Sequence, residues 1–159
     1  MKITALFLLL FAQALHAQSV PSAATFLTNT ELRRAIQTAP EEQPGHPGFN
    51  LVRLSPKSEY PVFGVRRTAV GKAEVHAEFT DAWYVIEGAA TLVTGGSVVE
   101  GASTAPGEVR GQSIKDGSRR QIQKGEFAVI PAGTPHWISS IDGKEILYIV
   151  VKVPILAPK

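Results

Sequence analysis

Glu74-Val75-His76-Ala77-Glu78-Phe79-Thr80-Asp81-Ala82-Trp83-Tyr84-Val85-Ile86-Glu87-Gly88 decides the reading of this chain. It has the pattern of a strand, a tight corner and a second strand. Residues two apart in a strand share a face. Glu74, His76 and Glu78 therefore fall on one side, and Val75, Ala77 and Phe79 on the other. Asp81, Trp83 and Val85 share a face of the second strand, so Asp81 can join the polar set at the corner. Much later the chain offers a partner, Gly125-Glu126-Phe127-Ala128-Val129-Ile130-Pro131-Ala132-Gly133-Thr134-Pro135-His136. Pro131 and Gly133 shape a sharp turn that sets where His136 begins the next strand. Two imidazoles and a carboxylate suit a divalent first-row metal and leave positions open for substrate. His76, Asp81 and His136 are therefore expected to meet around a metal inside a β-barrel.

The flanking sequence has the punctuation of an all-β fold. Short runs at 49–54, 62–67, 73–79, 82–86, 89–94, 97–100, 108–114, 119–123, 127–130, 136–141 and 145–153 read as strands bounded by Gly, Pro, Ser and Asp. Asp142-Gly143 reads as a hairpin turn between the last two. Upstream, Thr28-Asn29-Thr30-Glu31 is a capping box that starts a short helix. Leu32, Ala35 and Ile36 share its apolar face, and Pro40 lies beyond its end. So short a helix must dock to be stable, and it is expected to cover one end of the barrel. The Pro- and Gly-rich stretch 41–48 is a loop, and its His46 reads as solvent-exposed. Trp83 and Trp137 flank the two key stretches and read as packing residues, with ligand stacking as the other role.

The 159 residues suit one domain with a real core. With 44% hydrophobic and 19% charged residues, the composition is that of a globular protein. The net charge is only +2, and Arg33-Arg34, Arg66-Arg67 and Arg119-Arg120 are separate pairs, which argues against nucleic-acid binding. No cysteine is present, which excludes disulfides, thiolate ligands and a cysteine nucleophile. Met1-Lys2, an apolar run from Ile3 to Phe11 and small residues up to Ala17 have the layout of a secretory signal peptide. Cleavage is expected after Ala17, with Ala14 as the other site. The apolar run is too short to span a bilayer, which needs about 20 residues. The expected organisation is a leader at 1–17, a lead-in and helix at 18–48, and a barrel domain at 49–153.

On these residues the chain resembles the cupins, small jelly-roll barrels with two signature motifs. The second motif is glycine, five residues, proline, one residue, glycine, two residues, histidine, three residues, asparagine. Gly125, Pro131, Gly133 and His136 stand at those positions, with Ser140 in place of the asparagine. Asp81 and Gly88 match the acidic residue and glycine that end the first motif. The motif's two histidines fall on Glu74 and His76. The resemblance implies an all-β, cupin-type jelly-roll barrel with a short N-terminal helix added. It also implies a mononuclear metal site drawn from His76, Asp81, His136 and Glu74. Two imidazoles with two carboxylates favour Mn or Fe over Zn or Ni. Glu78 competes with Glu74 as the extra ligand, and otherwise is a candidate general base.

The function expected is that of a secreted or periplasmic metal-dependent enzyme acting on a small molecule, of dioxygenase, isomerase or lyase type. The rival is a non-catalytic barrel that binds a small ligand and has given up its metal, for which the exchange of the first histidine for Glu74 is the expected change. A homodimer is expected if the Val75, Ala77 and Phe79 face is covered by a second copy, the helix that starts at Thr28 being the other candidate to cover it. No nucleic-acid partner is expected, and no stable membrane span after cleavage.

Overall fold

The structure is a computed structural model that describes residues 24–42, 48–55 and 60–155. The leader and His46 lie outside the described residues. Among those described, no helix is long and apolar enough to cross a membrane.

The strands are β1 (Phe49–Arg53), β2 (Val62–Arg67), β3 (Ala73–His76), β4 (Phe79–Thr94), β5 (Ser97–Val99), β6 (Ala102–Ala105), β7 (Glu108–Gly111), β8 (Ser113–Lys115), β9 (Ser118–Gln123), β10 (Phe127–Ile130) and β11 (His136–Pro154). Every pairing is antiparallel. β4 and β11 run together from Phe79↔Pro154 to Thr94↔His136 and form the spine. The other edge of β11 takes β2 along 146–151 and β3 at His136↔Glu74. β9 and β10 line the far edge of β4. The order β1-β2-β11-β3-β7-β6 curls around a core that includes Val65, Trp83, Val85, Ile138, Tyr148 and Val150.

Three expectations are corrected. Asp142-Gly143 does not turn a hairpin, because both flanking segments find the longer partner β4 and β11 runs straight through. Asp142 pairs with Ala89 and Leu147 with Glu87, so the intervening residues bulge opposite Gly88. Gly88 holds φ +80 there, and a Cβ on it would lie 2.2 Å from the Glu145 carbonyl oxygen. The β3 strand ends at His76 and the chain bends at Ala77-Glu78, pinned by Ala77 N donating to Gly107 O (2.7 Å) and Ile155 N donating to Glu78 O (2.9 Å). The bend resets the alternation, so Phe79 turns to the cavity with Asp81 and Trp83. The apolar outer face of Val75, Ala77 and Phe79 does not form.

The helix α1 (Asn29–Gln37) has the expected capping box from Thr28 and Glu31. It does not close a barrel end. Its fully buried Ile36 packs with Ile86 and Leu147 on the outer face of the sheet. Gly64 on β2 makes the close approach feasible, since a Cβ there would sit 2.5 Å from Ile36 Cγ1. Burying an isoleucine in this way contributes about 1.5–3 kcal/mol. Beyond the helix, the chain is tied to β1 by Leu51 N to Pro40 O (3.0 Å), Glu42 N to Phe49 O (2.8 Å) and Asn50 Nδ2 to Ala39 O (3.0 Å). These bonds hold Glu42 at the cavity.

Candidate metal centre

Sheet register assembles the site. Residues directly opposite in an antiparallel pair interact most strongly. On β3 and β7, Glu74 faces Arg110 and His76 faces Glu108. His136 opens β11 opposite Glu74. On β4 and β11, Asp81 faces Lys152. Four donor side chains thus arrive from three strands, each of them buried.

Their inner atoms converge. His76 Nε2 is 3.5 Å from Glu74 Oε2 and 3.8 Å from Asp81 Oδ2. His136 Nε2 is 4.0 Å and 3.8 Å from the same oxygens. Glu74, His76 and His136 present ligand atoms all within 4.8 Å of one another, so this buried group can hold a metal ion. Asp81 stands beside the group and is engaged elsewhere too. Its Oδ1 accepts from Lys152 Nζ at 2.8 Å, and its Oδ2 takes a long 3.4 Å bond from Trp83 Nε1. Glu74 divides its oxygens in the same manner: Oε1 meets Arg110 Nη1 at 3.1 Å and Arg67 Nη2 at 3.7 Å, and Oε2 is left to the imidazoles.

Outer contacts select the tautomers. His76 Nδ1 lies 2.6 Å from Glu108 Oε2, and His136 Nδ1 lies 3.0 Å from the Thr134 carbonyl oxygen. Both partners are acceptors, so each Nδ1–H donates outward and each Nε2 faces the cluster. Burial pushes the His136 imidazolium down, which favours the neutral ring. Burial pushes His76 down as well, but the neighbouring Glu74 and Asp81 carboxylates outweigh it and raise the net value. For Glu74 burial pulls upward, yet His76, Arg67 and Arg110 hold the carboxyl well below the usual carboxylate range. Burial raises the Tyr148 phenol, and its oxygen accepts from Arg67 Nε at 2.9 Å.

His136 Nε2 tests whether a metal fits. It is buried and has no hydrogen-bond partner among the described residues. A solvent-shielded polar atom without a partner is costly, and an electron-pair acceptor is the complement of an unprotonated imidazole nitrogen. The donor set fits a divalent ion.

A cavity of about 250 Å³ adjoins the donors and is walled by Phe49, Phe63, Phe79 and Trp83. Trp83 stacks on Tyr148 with centroids 4.6 Å apart, so it serves both core and cavity. Trp137 instead donates to Gly71 O at 2.8 Å. Glu78 sits exposed on the corner, outside the residues that line the cavity. The carboxylate beside His76 is Glu108, which sequence reasoning missed together with Arg67, Arg110, Lys152 and Glu42. Alternation alone places Glu108 and Arg110 on one face, but nothing local says that this strand pairs with β3.

No family model matches the chain, and no curated protein matches it. Solved structures do. A candidate sugar phosphate isomerase from Acidithiobacillus ferrooxidans is 17% identical, with 82% of this chain and 76% of that one covered and a TM-score of 0.56. TT1209 from Thermus thermophilus is 16% identical, with 74% and 92% covered and a TM-score of 0.51. The plu4264 protein from Photorhabdus luminescens is 11% identical, with 73% and 80% covered and a TM-score of 0.51. At such identities the likeness is one of fold. The chain has the fold of an all-β, cupin-type jelly-roll barrel, with one short helix among the described residues docked on its sheet.

Proposed function

We propose that the barrel binds one divalent metal ion through Glu74, His76 and His136, with Asp81 as the fourth donor, and acts as an enzyme on a small molecule in the adjoining cavity. The observation that carries this reading is His136 Nε2, buried among carboxylates with no hydrogen-bond partner among the described residues. Two nitrogens and two carboxylates favour Mn or Fe over Zn or Ni. When bound, the ion supplies Lewis-acid polarisation of a substrate oxygen.

The chain's own residues supply the remaining functions. Arg67 and Arg110 keep Glu74 ionised. Glu108 takes the His76 Nδ1–H and orients that ring. Phe63, Phe79 and Trp83 exclude water from the reacting end of the substrate. Lys152 adds an ammonium to the cavity wall, 6.0 Å from the Phe79 ring centroid. Dioxygenation, isomerisation and lyase chemistry are the reaction types this arrangement serves.

One observation favours a second reading. Glu74 and Asp81 already have cationic partners in Arg67, Arg110 and Lys152. A barrel whose carboxylates are paired in this way can hold a ligand without a metal, as a non-catalytic binding protein. Elemental analysis of purified protein separates the two, with His136→Ala alongside. Stoichiometric Mn or Fe in wild type, lost in the variant, supports the enzyme. Absence of bound metal, with thermal stability indifferent to added Mn, Fe, Ni and Zn, defeats it in favour of simple binding.

The same proposal includes export to the periplasm or beyond the cell, which rests on the 1–17 leader and is tested by the N-terminus of the mature protein. It also includes a homodimer, tested by sedimentation. Tyr84, Phe127 and Val129, exposed on β4 and β10, are the face such a dimer would use.

A further inference from the structure

Two buried side-chain atoms among the described residues have no hydrogen-bond partner, and only one of them is His136 Nε2. The other is Glu42 Oε2. Glu42 lines the same cavity as Glu74, His76 and Asp81. Its backbone N–H is bonded to Phe49 O, and its Oε1 lies 3.5 Å from Arg110 Nη2. The other terminal nitrogen of that guanidinium, Arg110 Nη1, is 3.1 Å from Glu74 Oε1. One arginine therefore spans the metal-donor carboxylate and a second carboxylate whose other oxygen, shielded from solvent, has no hydrogen-bond partner among the described residues. A carboxylate oxygen can only accept, so its complement is a hydroxyl or amino group.

Charge adds a second constraint. Glu42, Glu74, Asp81 and Glu108 line the cavity against Arg67, Arg110 and Lys152. Counted formally, four carboxylates against three cationic side chains leave one excess negative charge. A divalent ion turns that into one excess positive charge, which a ligand in a partly desolvated site must answer. The remaining walls are aromatic and aliphatic, so the body of the ligand is apolar.

We infer that Glu42 is the specificity residue of this site, and that the ligand is a small organic monoanion with an apolar body and a hydroxyl that donates to Glu42 Oε2. This rests on the metal-site reading above. The anionic group is drawn to the metal and its surrounding cations, and the hydroxyl is read at the far end of Arg110. A hydroxy monocarboxylate has this chemistry.

Phenylacetate, mandelate, 3-hydroxyphenylacetate and 4-hydroxyphenylacetate test it by calorimetry on the metal-loaded protein. Phenylacetamide, mandelamide, 3-hydroxyphenylacetamide and 4-hydroxyphenylacetamide serve as the uncharged counterparts. In wild type, at least one hydroxylated acid should bind about tenfold or more tighter than phenylacetate, as expected for a hydrogen bond to a charged acceptor. Its neutral amide should bind more weakly. In Glu42→Ala that advantage should fall to within about threefold, and Glu42→Gln should retain part of it. Metal content, measured on each variant by elemental analysis, should be unchanged, because Glu42 is not among the grouped donors. Equal binding of hydroxylated and plain acids overturns the inference. So does an advantage that survives in Glu42→Ala, and so does failure of every acid to bind metal-loaded wild type. In these three cases the metal reading stands on its own elemental analysis. Wild type without metal overturns both.

Discussion

Two pairs of strands bring donors to the cavity, and they are built differently. β4 and β11 have 16 and 19 residues and carry core residues along most of their inward face. Trp83, Val85, Tyr148 and Val150 are almost wholly buried there, and Asp81 and His136 sit at the ends of this apolar track. β3 and β7 have four residues each, and two of their cross-strand pairs are Glu74 with Arg110 and His76 with Glu108. The long pair is held by apolar area, whereas the short pair is held largely by charge, which contributes less to net stability. The fold therefore depends on one wall and the chemistry draws on both, so the short wall can be altered without loss of the barrel.

The largest expected effect is on the long wall. Trp83→Ala removes the partner of Tyr148 and should cost about 3–5 kcal/mol in denaturant unfolding. A cost below about 1 kcal/mol would break the division between the walls. Next is the outer side of the same sheet. Gly64→Ala forces a methyl onto Ile36 and should cost about 1–3 kcal/mol. If it is neutral, α1 is not a fixed part of the sheet. On the short wall, Glu108→Gln keeps a hydrogen-bond acceptor for His76 but removes the charge. Stability should fall by no more than about 1.5 kcal/mol, below the Trp83→Ala cost. Metal affinity should fall about 10- to 100-fold, the usual effect of losing a partner of a ligating histidine. Titration calorimetry with Mn and Fe reads the second quantity, and an unchanged affinity would remove Glu108 from the site.

The smallest effect belongs to the bulge. Glu145 accepts from Gln37 Nε2 at 3.0 Å and from Arg66 Nε at 2.7 Å, and these bonds hold its carboxyl below its usual value of 4.5. A carboxyl lowered by folding stabilises the fold above its unfolded value, and that contribution is lost as pH falls through the folded one. Wild type should therefore exceed Glu145→Gln in stability at neutral pH by at most about 1 kcal/mol. The gap should close as pH drops below about 4.5. A gap independent of pH would mean that packing, not charge, ties the bulge to α1.

Local rules read some elements correctly. Thr28 and Glu31 close on each other within one turn, so their capping box needed nothing distant. Glycines at turns and short apolar runs marked most strands for the same reason. Asp142-Gly143 misled because a turn signal only states that the backbone can bend there. Whether it makes a hairpin or a bulge depends on the partner strand. Alternation also failed at Ala77-Glu78, where contacts from Gly107 and Ile155 reset it and carried Phe79 inward.

By itself the sequence determined the residue types at the centre. Glu74, His76, Asp81 and His136 could be named because strand alternation and a Pro-Gly turn are short-range constraints. Only the tertiary structure decided how they are partnered. Arg110 and Glu108 meet Glu74 and His76 through strand register, Lys152 meets Asp81 across 71 residues, and Glu42 reaches the cavity because the chain after α1 is tied to β1. Register between distant strands is set by the whole barrel closing on its core, and no local stretch of sequence carries it.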